Sequence, residues 1–222
     1  METHIGFVPA AEAAFIAGLS DRQMQRTLDE HILLEPLVRH DGGRRFAKLA
    51  APLARFYFEL EDVLTAKARR QVIATVTERV RARSDRDAIL GLSMSASMVD
   101  WKVDITSLHI ELDRFVLGAQ ERVARIEAAD RIVVVDAETM GGVPVFAGTR
   151  VPIETAVAAR RAGASAAQLA EAYPAVTSEM IDAAEVYMAV HPRRGRPHRP
   201  GEIGPAWRVR STKVVRPATT RG

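Results

Sequence analysis

The sequence predicts a mainly α-helical protein with small β elements, and three observations support this fold class. Apolar residues recur at helical spacing in several separate segments of the 222-residue chain. Two Ser-x-x-Gln pairs, beginning at Ser20 and Ser165, have the spacing of a helix capping box. Alternating apolar residues occur only in short runs, which is typical of hairpins rather than of a large sheet.

The composition indicates a globular protein of the cytoplasm. Hydrophobic residues make up 47% and charged residues 27% of the chain, as in soluble domains. No run approaches the roughly 20 apolar residues of a membrane span, and the first residues lack the pattern of a signal peptide. Because cysteine is absent, disulfides and thiolate metal sites are excluded. We therefore expect no membrane association.

Two short helices are predicted near the N-terminus. Residues 9–17 suit a helix with Pro9 near its first turn, and Gly18 then interrupts it. The Ser20 capping box starts a second helix at Asp21. With its apolar residues packed inward, this helix leaves polar side chains where a recognition helix meets base edges. These candidate DNA-binding residues are Arg22, Gln23, Gln25 and Arg26.

A hairpin is predicted directly after these helices. Residues 37–40 and 44–46 flank an Asp-Gly-Gly turn that tolerates positive φ. Its arginines, Arg39, Arg44 and Arg45, are candidate contacts to DNA phosphates. Helix, turn, helix and hairpin in this order predict a winged helix-turn-helix. The pattern Glu-Ala-Ala, Gly-Leu-Ser and Arg-Arg-Phe is similar to that of MerR-like and excisionase-like regulators; the alternative is a helical scaffold with solvated arginines.

The middle of the chain is predicted to hold further helices and one hairpin. Residues 49–81 have helical patterning that suits either a pairing helix of a dimer or core packing. The charged residues 81–86 suggest a linker. Alternation over 101–112, with a slip at Thr106-Ser107, indicates a hairpin or a bulged strand. Asp113 is expected to cap the next helix, and residues 132–135 to form a strand. This region is a candidate surface for homodimerisation.

Evidence for catalysis is lacking. His109 is expected on the outer side of its strand, where a lone histidine is seldom a ligand. The other histidines do not group with carboxylates at the spacing of a metal site. Phosphate-binding and nucleophile motifs are missing as well. The sequence therefore predicts a protein that is not an enzyme and that binds neither metal nor cofactor.

Three short helices are predicted between residues 136 and 191. Pro152 suits a first helical position, where its missing N–H costs nothing. Ser165 with Gln168 forms the second capping box, and Thr177 is expected to cap the last helix. Short helices with tight turns predict an arrangement like a helix-turn-helix. The last helix carries Glu179, Asp182 and Glu185 but few basic residues, which favours dimerisation or partner contact over reading DNA.

This block also carries a specific motif, Gly-Gly-Val-Pro-Val-Phe-Ala-Gly-Thr-Arg-Val-Pro, over residues 141–152. Residues 136–191 resemble the prokaryotic family catalogued as domain of unknown function four-three-three, whose members are linked to antitoxins of toxin–antitoxin pairs. The positions that match the family motif are Gly141, Gly142, Gly148, Thr149 and Arg150. Read from the residues alone, these positions are structural first: glycines permit tight turns, and Thr149 and Arg150 buttress the following helix.

The C-terminal segment is strongly basic. From Pro192 onward it has nine basic residues against Glu202 alone, so this tail carries +8 and the first 191 residues carry −5 of the overall +3. Its Arg, Pro and Gly content predicts disorder in isolation. Trp207, flanked by Arg208 and Arg210, has the composition of a segment that folds on a partner. We expect these three residues to contact a toxin.

The sequence thus predicts four parts: a winged helix-turn-helix DNA-binding domain over 1–80, a linker and small α/β region over 81–135, a three-helix antitoxin-family domain over 136–191, and a basic toxin-binding tail over 192–222. The whole resembles a VapB-type antitoxin. The resemblance implies a VapC-like PIN-domain ribonuclease and operator DNA as partners. Two alternatives stay open: a stand-alone transcriptional regulator without a toxin, and an interaction scaffold that does not read DNA.

Overall fold

A computed structural model describes residues 6–40, 43–93, 99–105 and 108–192. The prediction of a mainly helical chain with small β elements is confirmed. Its elements are, in chain order, β1 (Phe7–Val8), α1 (Ala10–Ala17), α2 (Asp21–Asp29), β2 (Val38–Arg39), β3 (Arg45–Ala47), α3 (Ala50–Glu59), α4 (Ala66–Arg81), α5 (Arg86–Leu90), β4 (Lys102–Ile105), β5 (Leu108–Glu111), α6 (Asp113–Ile132), β6 (Val133–Val134), β7 (Val145–Phe146), α7 (Ile153–Arg161), α8 (Ala166–Ala172) and α9 (Ser178–Val190).

Local sequence signals place most helix starts correctly. The Ser20 and Ser165 capping boxes are both present, with each serine hydroxyl accepting from the backbone N–H of a glutamine whose side chain accepts from the serine backbone. The Thr177 hydroxyl accepts from Met180 N and caps α9. Each interaction satisfies an N–H that a helix start leaves without an intrahelical partner. Gly18 ends α1 in the left-handed conformation (φ 65°) that glycine adopts without strain.

Two predictions about element boundaries are wrong, and a third is narrowed. Arg81 is the last residue of α4 and Arg86 the first of α5, so residues 82–85 of the predicted linker over 81–86 lie between the two helices. The turn between the helices is held by an ion pair from Arg83 Nε to Asp85 (2.8 Å). Asp113 is the first residue of α6 rather than its cap. Pro152 precedes α7 as its N-cap, in an extended conformation.

The predicted N-terminal hairpin has a third strand that the pattern did not reveal. Strands β2 and β3 pair as expected, and β1 adds to the other side of β3, giving the antiparallel order β1-β3-β2. Val8, Phe46 and Val38 are partners across the three strands and are buried. Arg39 and Arg45, on the opposite face, are exposed.

Two hydrophobic cores meet at α9. The larger core joins α1–α6 with the N-terminal sheet and includes Val186 and Val190 of α9. The smaller core is formed mainly by β6, β7, α7, α8 and α9, with Phe146 and Ile181 among its most buried side chains. Helix α9 packs along α6, and Tyr187 contacts both cores. The predicted four-part division of the chain stays a prediction, although residues 6–192 lie in one compact unit.

The remaining β elements are two small antiparallel pairs. Strands β4 and β5 form the predicted hairpin, with Lys102 opposite Glu111 and Asp104 opposite His109; the predicted slip at residues 106–107 lies outside the described residues. Strand β6 pairs with β7. Among the helices of the described ranges, none combines the length and the apolar character that crossing a membrane requires.

Candidate nucleic-acid interface

Helix α2 presents one polar side that the structure leaves accessible. Met24 and Leu28 are buried in the larger core, as predicted. On the accessible side, Arg22 is exposed, and no hydrogen bond, ion pair or ring contact engages it within the described part of the chain. A cation free of internal partners keeps its donors available for an external acceptor.

The other three polar candidates on α2 are held by neighbours. Gln23 belongs to the capping box, where its side-chain oxygen accepts from Ser20. Gln25 Nε2 donates to Asp29 (3.3 Å). Arg26 donates to Glu30, an interaction that lowers the pKa of the Glu30 carboxyl. These contacts orient the side chains along α2 but reduce what Gln23 and Arg26 can offer to a ligand.

The strand register brings two arginines together on the sheet. Arg39 of β2 and Arg45 of β3 are direct partners, so their side chains leave the same face. The Arg39 guanidinium lies over the Phe7 ring of β1, 4.2 Å from its centroid. This cation–π contact fixes the direction of Arg39 while leaving its N–H donors at the edge of the ring. Phe7 is a residue of this surface that the sequence pattern did not identify.

Arg44 links the hairpin to α2. Its Nη1 lies 3.7 Å from Oδ1 of Asp29, the last residue of α2. Both side chains are exposed, so the pair contributes little to stability, but it shows that the hairpin lies at the C-terminal end of α2. The structure therefore brings Arg44 to the C-terminal end of α2, and the predicted set on α2 and the hairpin is Arg22, Gln23, Gln25, Arg26, Arg39, Arg44 and Arg45. We call this set the α2–hairpin surface.

The family-motif residues form a second site with a structural character. Gly141, Gly142 and Gly148 have positive φ (66°, 82° and 73°). Thr149 Oγ1 donates to the Phe146 carbonyl (2.9 Å) and accepts from Val151 N (3.1 Å). Thr149 thus closes the turn between β7 and α7. Arg150 is exposed, and its expected support of the following helix stays a prediction.

A tight loop precedes this motif. The Asp136 carboxylate accepts from Glu138 N (3.0 Å) and Thr139 Oγ1 (2.9 Å), which lowers the pKa of Asp136. The Gly142 N–H donates to the Asp136 carbonyl (3.1 Å). Asp136 is therefore occupied by its own loop, and in the described ranges no group of three or more His, Asp or Glu side chains is placed to hold a metal ion.

The acidic residues of α9 are largely paired within this part of the fold. Arg160 of α7 contacts Asp182 (2.6 Å) and Glu185 (2.7 Å), and Arg161 lies 3.8 Å from Glu185. The ion pairs join α7 to α9 beside the smaller core. They leave α9 with few free charges, positive or negative, on this side. The predicted toxin-binding residues Trp207, Arg208 and Arg210 lie outside the described residues.

Comparisons with known proteins agree with the sequence motif. Residues 133–188 match the family model described as protein of unknown function DUF433. The chain is also similar to the uncharacterized protein y4eO of Sinorhizobium fredii, with 38% identity over 202 residues that cover 88% of each chain. No solved structure matches the chain.

Proposed function

We propose that this chain, which belongs to the same family as protein y4eO and carries a DUF433 match, is a DNA-binding antitoxin that represses its own operon. The α2–hairpin surface is the proposed DNA contact, with α2 in the major groove and the β2–β3 hairpin as a wing along the phosphates. The tail over 192–222 is the proposed inhibitor of a VapC-like PIN-domain ribonuclease. The protein acts as a homodimer in this account.

One observation carries the DNA-binding half of the proposal. Arg39 and Arg45 are exposed cross-strand partners, and neither forms an ion pair within the described residues. Like charges placed directly opposite one another are unfavourable in a sheet. A ligand with closely spaced negative charges, such as a nucleic-acid backbone, relieves that repulsion. Arg22 on α2 adds a guanidinium group without an internal partner in the described part of the chain, at the position where a recognition helix meets base edges.

The proposed role of each residue in the α2–hairpin surface follows from its position. Arg22 lies on the helix proposed to enter the groove, so it contributes to sequence preference. Arg39 and Arg45 contact phosphates, so they contribute affinity for any sequence. Gln25 and Arg26 support α2 through their intrahelical bonds to Asp29 and Glu30.

The DNA-binding half is tested by titrating the full chain into labelled duplexes. One duplex is the region upstream of its own gene, and the other has the same composition in shuffled order. Arg22→Ala is expected to weaken promoter binding by about 1–3 kcal/mol and to affect the shuffled duplex less. Arg45→Ala is expected to weaken both by a similar factor. Arg131→Ala, an exposed arginine at the end of α6, serves as the matched control and should change neither.

The antitoxin role rests on the resemblance carried by the motif over residues 141–152 and on the charge of the tail. The tail, with a net charge of +8, is attracted to the clustered carboxylates of a metal-dependent nuclease. Arginines of the tail that pair with those carboxylates compete with the metal ion. Expression from the native operon should recover an acidic nuclease with the full chain but not with a chain ending at His191. Alanine at Arg208 and Arg210 should release ribonuclease activity without changing promoter binding.

The alternative function is a stand-alone regulator whose basic tail strengthens DNA binding. The same truncation distinguishes the two. If the protein is a stand-alone regulator, ending the chain at His191 reduces the salt dependence of DNA affinity. No nuclease is then recovered with the full chain or with the truncated chain. In the antitoxin account, the truncation removes nuclease recovery.

A further inference from the structure

A small arginine-lined cleft lies beside the turn that joins α1 to α2. Its volume is about 150 Å³, and its walls come from α3 and α6. Gly18, in the turn itself, borders the guanidinium groups of two of its residues. We call it the arginine cleft. Its lining residues are Arg55, Glu59, Arg114, Phe115, Gly118 and Arg122.

The charges of this cleft do not balance. Glu59 is the one carboxylate among its lining residues, and it accepts from Arg55 (2.9 Å) and from Arg114 (2.8 Å). One carboxylate therefore serves two guanidinium groups. The third arginine, Arg122, makes no ion pair with any described residue. Its Nη1 donates instead to the Gly118 carbonyl (2.9 Å) and, at longer range, to the Ile16 carbonyl (3.4 Å).

Burial and neighbouring positive charges both act on Arg122. Partial burial lowers its pKa, and Arg55 and Arg125 lower it further, while Glu121 acts in the opposite direction. An arginine stays protonated under all ordinary conditions. The lowered pKa therefore reports that the charged form of Arg122 is disfavoured where it stands, and that a bound anion would stabilise it.

The guanidinium groups reach the backbone at the end of α1, in the turn that leads to α2. A Cβ added at Gly18 would lie 2.9 Å from Arg55 Nη1 and 3.1 Å from Arg122 Nη2. Gly18 is two residues before Ser20, whose side chain caps α2. Because Gly18 carries no side chain, two arginines approach this turn closely. The cleft thus adjoins the N-terminal end of α2, whereas Arg44 contacts Asp29 at the C-terminal end.

We propose that the arginine cleft binds a phosphate group, with the DNA backbone as its source. This inference rests on the proposed DNA-binding function. Arg122 and Arg55 supply planar forks of N–H donors, a geometry that suits phosphate oxygens. The nine residues of α2 span about 13 Å, close to the roughly 12 Å width of the major groove. Basic groups at both ends of α2 thus reach phosphates on the two sides of the groove that α2 enters.

The test measures how DNA affinity depends on salt, with the full chain and both duplexes described above. Removing one phosphate contact makes the plot of log K against log salt shallower by about one. We expect this change for Arg122→Gln, together with an equal fold-loss of affinity for promoter and shuffled DNA. Arg122→Lys keeps the charge and should retain the slope. Arg86→Gln, an exposed arginine of α5, is the control and should match the original protein.

A second measurement separates failure of this site from failure of the proposed function. Inorganic phosphate is titrated while the Nε–Hε signal of Arg122 is followed by NMR, with sodium chloride at equal ionic strength as the reference. If the protein binds no DNA, or if Arg122→Gln has the same salt slope as the original protein, a saturable shift of the Arg122 signal with phosphate supports a site for free phosphate instead. The proposal is overturned if Arg122→Gln keeps the salt slope of the original protein and the Arg122 signal shows no shift that is specific to phosphate. If Arg122→Gln melts at a lower temperature than the original protein, Arg55→Gln replaces it.

Discussion

Arg39 and Arg45 stand directly opposite each other on neighbouring strands of the N-terminal sheet, and neither forms an ion pair with the described residues. Elsewhere in the same chain, Lys102 of β4 stands opposite Glu111 of β5, with Nζ and Oε1 3.3 Å apart. One hairpin therefore pairs opposite charges in the ordinary way, and the other places two cations together. This contrast is the main support for the proposal that the N-terminal hairpin contacts a polyanion.

The contrast predicts different effects of removing a cation from each hairpin. Arg45→Gln removes repulsion across the strands but also a favourable influence on the ionised Glu12 carboxylate, so the melting temperature at low salt should change little, while DNA affinity falls. Lys102→Gln removes an attraction, so the melting temperature should be unchanged or slightly lower, with no change in DNA affinity. Thermal unfolding at two salt concentrations and DNA titration measure both effects. A lower melting temperature for Arg45→Gln would show that its positive charge is needed for folding.

The two capping boxes provide a second matched comparison. Ser20→Ala and Ser165→Ala each remove a serine hydroxyl that accepts from the backbone of its helix, and each is expected to cost about 1 kcal/mol of stability. Only Ser20 begins the helix proposed to contact DNA. Ser20→Ala should therefore also weaken promoter binding, whereas Ser165→Ala should not. Equal DNA affinities for the two variants, at temperatures where both are folded, would argue against α2 as the reading helix.

Glu12 in the first turn of α1 predicts a pH dependence of stability. Burial raises the pKa of Glu12, and Lys48 is the largest of the opposing influences. The folded state thus holds this proton more tightly than the unfolded state, so the free energy of unfolding falls as pH rises from the ordinary glutamate pKa of 4.5 through the higher folded-state value. Glu12→Gln should be more stable than the original protein at pH 7. Denaturant unfolding at pH 4 and pH 7 should show the advantage only at pH 7.

His109 on β5 predicts a local titration. Its Nδ1 lies 2.6 Å from Oδ1 of Asp104, which is the main reason that the pKa of His109 is raised; Glu111 contributes less. Asp104→Asn should lower the pKa of His109 measured by NMR, and Glu111→Gln should lower it by a smaller amount. A larger effect of Glu111→Gln would mean that the cross-strand pair of Asp104 and His109 does not form in solution.

Local signals explain what could be predicted from the sequence. The boxes at Ser20 and Ser165 involve residues three apart, so the starts of α2 and α8 could be identified without tertiary information. Asp113 was wrongly predicted as a cap because a polar residue before an apolar face suggests that role. In the structure, Leu112 precedes α6, and its backbone N–H is bonded to Trp101 across the hairpin.

Long-range packing explains what could not be predicted. Strand β1 has only two residues, and its pairing with β3 follows from the folding of the intervening helices. Phe7 therefore gave no local indication that it would lie under Arg39. The arginine cleft depends on a contact between Arg122 and Ile16, which are 106 residues apart. Nor does any local pattern indicate that Val186 and Val190 join the N-terminal core.

The central claim is that this chain reads DNA, and the most direct test is the ratio of its affinities for promoter and shuffled duplexes at physiological salt. The account predicts that the full chain prefers the promoter by about a thousandfold or more, and that Arg22→Ala reduces this ratio. Equal affinities for the two duplexes, or no binding to either, would contradict it.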